Sequence, residues 1–258
     1  MTRHFKRVPA IDKSFAILKL LSESPPPLGI SEISNRLSLS KSTVYNLMYT
    51  LEDLEIVEQT LEGKFRFGLQ LYLLGNRSGR RSALIQTAHP YLEEINRATK
   101  LSAFLGIRSG MHAVIVDKVD SAFDIKVSSD IGMRLPLLAG AGGKALLSML
   151  PDEEIDQLLD DANLKKFTPR TSTDKARFKQ SVIRVREECF AFDDQEYIDG
   201  IVAMAVPIKT RQLKLQAAIW AVGLKQQARK GRLSSARKLM VDTADKLSTR
   251  FMLTDLFN

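Results

Sequence analysis

What this chain is short of bounds it first. It has a single cysteine, Cys189, so it can hold no internal disulfide and no cysteine-rich zinc site. Its three histidines, His4, His89 and His112, lie far apart and share no metal-ligand spacing. No Ser-His-Asp order and no strained nucleophile turn is visible, and Cys189 beside Phe190 reads as a small core filler. No run approaches about eighteen apolar residues, which is what a membrane-spanning helix needs. The opening MTRHFKRVPAIDKSF lacks the apolar centre of a signal peptide. These absences point to a cytoplasmic protein with no membrane partner, no metal, no cofactor and no enzymatic centre.

What is present is ordinary in amount and uneven in distribution. A composition 44% hydrophobic and 26% charged supports a real core and argues against disorder. The net charge of +8 is a nudge toward a polyanionic partner. Residues 1–81 carry 12 Lys/Arg against 8 Asp/Glu, a net +4, and residues 82–258 carry 26 against 22, also +4. Half the excess thus sits in less than a third of the chain. Length favours two modest domains over one large one.

Three helical signals open the chain. Ile11, Phe15, Leu18 and Leu21 recur at steps of four and three as one apolar stripe, which ESPPPLG ends. A short second helix starts near Ser31, a plausible N-cap, with Ile33 and Leu37 inward. After LSLS comes SKSTVYNLMYTL, whose buried face is expected to be Val44, Leu47, Met48, Leu51 and Leu54. IVEQTLEGKFRFG then reads as a hairpin, turning at Glu62-Gly63, with Lys64 and Arg66 alternating with Phe65 and Phe67. Helix, helix, turn, helix and hairpin in that order are the layout of a winged helix-turn-helix.

With the aliphatic ridge of the third helix turned inward, Lys41, Ser42, Thr43, Tyr45, Asn46 and Tyr49 face outward, free to lie in a DNA major groove. Lys41 and the hydroxyls would meet phosphates, Asn46 could read an adenine edge, and Lys64 and Arg66 on the hairpin would touch the flanking backbone or minor groove. The plainer alternative is a capped surface helix, in which Ser40 is simply the N-cap. The Glu or Gln of a full capping box is absent, since Thr43 stands in its place.

From Leu69 to about Lys100 the pattern is helical, with an interruption expected at Gly75–Gly79, an arginine cluster (Arg77, Arg80, Arg81) at the break and Pro90 opening the second part. Domains are drawn as 1–68, a linker helix at 69–85, and 86–258. Beyond the linker, SAFLGIRSGMHAVIVDKVDS alternates like two strands around Arg108-Ser109-Gly110, and FDIKVSS looks like another. Helices are expected at 142–150, 152–161 and 173–188. GIVAMAVPI and LKLQAAIWAVG should pair through a turn near Arg211, and an amphipathic helix runs from about Leu233 to Arg250. This mixture of antiparallel strands and helices makes an α+β, sensor-like domain.

RLPLLAGAGGKALLSML places four Gly or Ala residues, Ala139 to Gly142, at the leading end of a helix starting near Gly142. Backbone amides there make an anion-friendly concavity, and packing of helix on sheet is the alternative use of such residues. A phosphate-binding loop fails, because Leu138 stands where a glycine is required and Ala145 replaces the Ser/Thr after Lys144. In DDQEYIDG, Asp193, Asp194 and Glu196 do not make an acid/base pair, since adjacent residues on a strand point to opposite faces.

Taken together, these blocks resemble the isocitrate-lyase-regulator (IclR) family of bacterial transcription factors. The likeness spans about Ala10 to Phe251. It rests on AIDKSFAILKLL, GISEISNRLSLSKSTVYNLMYTLEDLEIVE and GKFRFG, then on HPYLEEI, GMRLPLLAGAGGKALLS, FTPRT, FAFDDQEYIDGIVAMAVPI and AAIWAVG. The resemblance implies a winged-helix DNA-binding domain, a dimerising linker helix, and a GAF-like effector-binding domain. It also implies homodimers, or dimers of dimers, bound to a double-stranded operator and controlled by a small-molecule effector.

By the same resemblance, Ala141 and Gly142 match positions whose amides hold the effector's carboxylate, with Leu135 and Gly143 beside them, and Asp193 matches a position lining that pocket. Two departures concern the ligand. Ala203 stands where the family often has Cys, and Trp220 and Val222 stand where it has Ser or other small polar residues. Trp220 and Val222 share a strand face. An effector more apolar or aromatic, still carrying a carboxylate, is expected, unless Trp220 simply fills the cavity. A DNA-binding dimer indifferent to any ligand, and an enzyme with an N-terminal docking module, are the rival readings.

Overall fold

The computed structural model describes residues 6–24, 26–80, 82–210, 215–227 and 230–253. Two compact units divide the chain, Met1–Arg81 and Ser82–Asn258.

In the first unit, α1 (Pro9–Ser22), α2 (Ile30–Leu37) and α3 (Lys41–Asp53) precede the hairpin β1 (Val57–Gln59) and β2 (Phe65–Phe67), and α4 (Leu69–Arg80) follows. Gly29, not Ser31, caps α2. Its N–H donates to the Glu32 carboxylate at 2.8 Å, half of a capping box, glycine having no side chain to return the bond. The tight turn into α3 runs through Ser38 at φ 53°, and the Ser34 hydroxyl donates to the Leu39 carbonyl at 2.6 Å. Ile17, Leu21, Leu28, Ile33, Val44, Met48, Leu51, Val57 and Phe65 form the core. The hairpin is tied in by reciprocal backbone bonds between Leu28 and Phe65.

The ends of the expected apolar stripes lie outside this core. Ile11 and Phe15 are 57% and 69% exposed, while Ile17 is fully buried. The apolar arc of α1 is wider than its neighbours can cover, and they cover only its C-terminal part. Leu54, at the end of α3, is 59% exposed, because the helix has already ended there. Helix α4 also corrects an expectation. It runs unbroken through Gly75 and Gly79, and the break falls at the Ser82 N-cap of α5 (Ala83–Thr99). Glycine weakens a helix by about 1 kcal/mol without ending it. Pro90 sits inside α5 rather than opening it. Arg77 is exposed; Arg81 and the side chain of Arg80 lie outside the described residues.

The second unit is an antiparallel sheet ordered β5-β4-β3-β8-β7-β6. Its strands are β3 (Ser102–Ser109), β4 (His112–Val119), β5 (Arg134–Pro136), β6 (Ala191–Asp194), β7 (Ile201–Ile208) and β8 (Ala217–Leu224). Helices α5 and α9 (Lys230–Leu253) cover one face, meeting Ala103, Leu105, Met204, Val206, Ile219 and Ala221. Helices α6 (Gly140–Leu147), α7 (Asp152–Asp160) and α8 (Lys175–Glu188) belong to the opposite side, with Phe104, Ala205, Ala218 and Trp220. Burial on both faces is why β3, β7 and β8 read as nearly continuous apolar runs. This second unit is α+β and GAF-like, and the first is a winged helix-turn-helix.

FDIKVSS is not a strand. Residues 120–133 form a loop fastened by its backbone, with the Ser102 hydroxyl donating to the Val127 carbonyl (2.5 Å) and the Gln227 amide to that of Ile125 (2.8 Å). The sheet's edge beyond β4 is taken by β5 instead. The turn expected near Arg211 lies outside the described residues.

One close approach fixes the middle of the sheet. A Cβ added to Gly106 would meet the Trp220 ring at 1.9 Å, so the indole fits only because position 106 has no side chain. Gly106→Ala is expected to destabilise the second unit by about 1–3 kcal/mol in urea unfolding, as overpacking does. A smaller residue at Trp220 should recover much of that loss in the double variant.

Candidate functional site

Two groupings of side chains stand out, one in each unit. In the first, burial of Val44, Met48 and Leu51 turns the opposite side of α3 to solvent. Ser40, Lys41, Ser42, Tyr45 and Asn46 are exposed, and Thr43 and Tyr49 are half-buried. Ser40 is the N-cap. Its hydroxyl accepts from the Thr43 N–H at 3.2 Å and lies within bonding distance of the Ser42 and Thr43 hydroxyls, at 3.1 and 2.8 Å. Part of this hydroxyl cluster therefore serves the helix itself. Lys41 makes no ion pair, and the Asn46 side chain no hydrogen bond, among the described residues.

Tyr49 does not face outward freely as expected. Its ring packs against Tyr45 at 4.4 Å and edge-on against buried Phe65 at 5.9 Å, which buttresses Tyr45 and joins α3 to the hairpin. The hairpin's cations are also engaged. Arg66 Nε donates to its cross-strand neighbour Glu58 at 2.6 Å, and Lys64 Nζ lies 3.9 Å from Glu32. Both pairs are exposed and therefore weak, so a stronger anion can displace the carboxylates.

In the second unit, Leu135, Ala141, Gly142, Gly143, Asp193, Ala203, Trp220 and Val222 all line one cavity of about 120 Å³. Strands β5, β6, β7 and β8 bring them together around the start of α6. The N-cap of that helix is Ala139, which gives no side-chain cap, and Gly140 opens it at φ 67°. Its first amides thus have no intrahelical partner.

Two of the glycines are small for a packing reason. A Cβ on Gly143 would strike the Leu137 carbonyl at 2.0 Å, and one on Gly142 would press the Trp220 ring at 3.1 Å. The side-chain room at those two positions is taken by the protein itself, so what the start of α6 offers the cavity is backbone.

The rest of the wall is mostly apolar, with Phe104, Ile115, Met133, Ile198 and Ile201 among its members beside Ser129 and Tyr197. No sequence signal marked these residues, which come from strands and loops far apart in the chain. Asp193 is the charged exception, 5% exposed and 3.1 Å from where a Cβ on Gly140 would stand. Burial pushes its carboxyl up to about 6, helped by the nearby Glu196 charge. The Glu196 and Tyr197 N–H groups and the Lys144 charge oppose this, the Glu196 N–H donating at 2.5 Å. Lys144, itself buried, gives both its close contacts to Glu196, at 2.8 and 2.5 Å. The Thr168 and Thr171 hydroxyls hold the backbone of the same loop by donating to the Gln195 and Glu196 carbonyls. Asp194, the neighbouring carboxylate, is turned away and paired with Arg170 and Lys225.

These two groupings sit on matched halves of known architecture. Residues 10–61 match the IclR helix-turn-helix domain, and residues 78–249 match the C-terminal domain of bacterial transcriptional regulator IclR. This chain belongs to the IclR family. It is 35% identical over 205 residues to the HTH-type transcriptional regulator KdgR of Escherichia coli, covering 79% of this chain and 78% of that one. An IclR transcriptional regulator from Alicyclobacillus acidocaldarius superposes with a TM-score of 0.84 at 23% identity, covering 95% and 99% of the two chains. An IclR homologue from Microbacterium hydrocarbonoxydans, solved with 4-hydroxybenzoate, superposes with a TM-score of 0.80 at 20% identity, over 95% and 100%. The IclR-family chain described here is accordingly a DNA-binding transcriptional regulator with an effector-binding domain.

Among the described residues, no group of three or more His, Cys, Asp or Glu is placed to hold a metal ion, and no helix is long and apolar enough to cross a membrane. Cys189 is half-buried and His89 is bonded to Asp117 at 2.8 Å, while His4 lies outside the described residues.

The raised Asp193 carboxyl has a consequence for stability. The folded state keeps this proton to about 6, whereas an ordinary carboxyl loses it at 3.8. Between those values the folded state binds more protons than the unfolded chain, so stability falls as pH rises and the full loss persists above the upper one. Asp193→Asn is therefore expected to stabilise the second unit above that window, by up to about 3 kcal/mol at 1.36 kcal/mol per unit. Urea unfolding of both proteins across pH should show the gain shrinking as pH falls through the window.

Proposed function

We propose that residues 1–68 read an operator in double-stranded DNA, that 69–85 serve as a dimerising linker, and that 86–258 sense a small carboxylate. The outward polar face of α3 carries the first part of this reading. Lys41 and Ser42 meet phosphates at the leading end of the helix, with the Ser40 and Thr43 hydroxyls beside them. Asn46 reads a base edge and Tyr45, propped by Tyr49, packs against the backbone or a base. Lys64 and Arg66 exchange Glu32 and Glu58 for phosphates at the flank. The exposed Leu69, Tyr72, Leu73 and Leu74 of α4 supply an apolar surface suited to a second copy, and a homodimer presents two α3 helices to a pseudo-palindromic site. Dimers of dimers extend the same arrangement. Action on chromosomal DNA makes the cytoplasm its compartment, and neither catalysis nor a cofactor enters the mechanism.

The effector's carboxylate lies at the α6 amides of Ala141, Gly142 and Gly143, near Asp193, and its body rests on Trp220 and Val222, bounded by Leu135 and Ala203. A cavity of about 120 Å³ compares with the roughly 150 Å³ of an apolar cavity that accepts benzene, so one ring or a short chain fits. An indole floor and an alanine at 203 favour an aromatic or otherwise apolar acid. Ligand binding changes the free energy of operator binding through the linker.

Sites selected from random duplexes supply the DNA for the test. Lys41→Ala should weaken binding to selected and random DNA alike and lower the salt slope by about 1. Asn46→Ala should cost about 1–3 kcal/mol at one base pair and relax preference there. Equal losses for Asn46→Ala on selected and random DNA would refute its reading role. Trp220 is the only tryptophan, so its fluorescence reports the second half of the reading. Aromatic acids should shift or quench it, and a response confined to small keto acids would contradict the aromatic preference.

A further inference from the structure

The cavity gives an incoming anion two opposed neighbours. One is the uncapped start of α6, which attracts negative charge. The other is the Asp193 carboxylate, whose Oδ2 stands 3.1 Å from the point where a Cβ on Gly140 would lie. A carboxylate close enough to use the first α6 amides is therefore close enough to meet Asp193. No cation lines the cavity among the described residues. Lys144, the cation on α6, is held by Glu196 through both carboxylate oxygens. Two ionised carboxylates in such a buried, mostly apolar site cannot sit side by side, and the usual resolution is that one proton serves both.

We propose that the cavity binds its carboxylate ligand together with one proton drawn from solvent, which Asp193 and the ligand then share in a single carboxyl–carboxylate hydrogen bond. Asp193 is thereby a specificity-determining residue, admitting anions that accept this proton's hydrogen bond. The inference rests on the effector-pocket reading above and deepens it.

The groups facing Asp193 pull both ways, and its burial and the Glu196 charge prevail. From the loop after β6 come the Glu196 charge, which favours the protonated form, and the Glu196 and Tyr197 N–H groups, which favour the ionised one. From α6 come the uncapped amides and Lys144. From β7 the paired residue is Ala203, and Val222 of β8 lies beyond it. From α8 the buried residues are Phe178, Val182 and Val185. None of these strand or α8 residues carries charge. The carboxyl is already held up to about 6 before any anion arrives, so a proton is within reach near neutrality.

Above that value, affinity for a carboxylate should fall about tenfold per pH unit, and below it the dependence should level off. Asp193→Asn supplies a permanent donor to the ligand while keeping an oxygen for the Glu196 N–H. It should bind the same acids with no such dependence, and more tightly than the parent near pH 8. Calorimetric titration of the full chain with benzoate, 4-hydroxybenzoate and pyruvate, in two buffers of different ionisation heat, counts the protons directly and needs no variant. About one proton should be taken up per ligand near pH 8 and almost none below about pH 5.

Binding without proton uptake, with a flat pH profile, overturns the proposal and leaves the pocket reading intact. So does loss of binding by a folded Asp193→Asn at every pH. If none of the acids binds even near pH 5.5, the pocket reading fails and this inference with it.

Discussion

The aliphatic ridge Val44–Met48–Leu51 can be hidden in one orientation only, against Ile17, Leu21, Ile33 and Phe65. Everything in the first unit follows from that constraint. Once the ridge is inside, the leading turn of α3 must point outward, and the hairpin can close only by placing Phe65 beneath Tyr49 and pairing Leu28 with Phe65 across the core. The core that stabilises the unit and the surface proposed to meet a duplex are thus two sides of one helix. Substitutions at Val44 or Met48 would disturb recognition through the position of α3, without touching a phosphate.

In the second unit the corresponding constraint is the fit of Trp220 between Gly106 and Gly142. The indole fills the middle of the sheet face, lets α6 come down close, and leaves a small apolar space at the helix's uncapped start. Into that space the fold puts a single acidic side chain, Asp193. Its partner loop is anchored through Glu196, Lys144, Thr168 and Thr171. The cavity is therefore tied by hydrogen bonds at its polar end, while Met133 and Ile198 at its rim are exposed.

Much of this was legible in the sequence, for local physical reasons. The order of helices and hairpin followed from apolar spacing, from ESPPPLG and from the Glu62-Gly63 turn. The eight cavity residues were reached through the family resemblance rather than geometry, since four strands and the start of α6 contribute them. What escaped the sequence depends on partners distant in the chain. Phe15 and Ile11 carry the right spacing but find nothing to cover them. FDIKVSS has strand-like residues, yet β5 occupies the sheet edge. Lys64 and Arg66 looked free because nothing local showed that Glu32 and Glu58 come to meet them. The glycines of α6 read as an opening for an anion, and the packing of two of them against Leu137 and Trp220 could not be seen from the local sequence.

The central claim is that the cavity and the DNA-reading helix belong to one coupled system. The most direct test measures affinity of the full chain for its selected duplex, without ligand and with each of a panel of aromatic and aliphatic acids at saturation. The account predicts that at least one acid changes DNA affinity by about 5–150-fold, and that the duplex changes affinity for that acid by the same factor. An acid that occupies the cavity, reported by Trp220, while DNA affinity stays constant would contradict it.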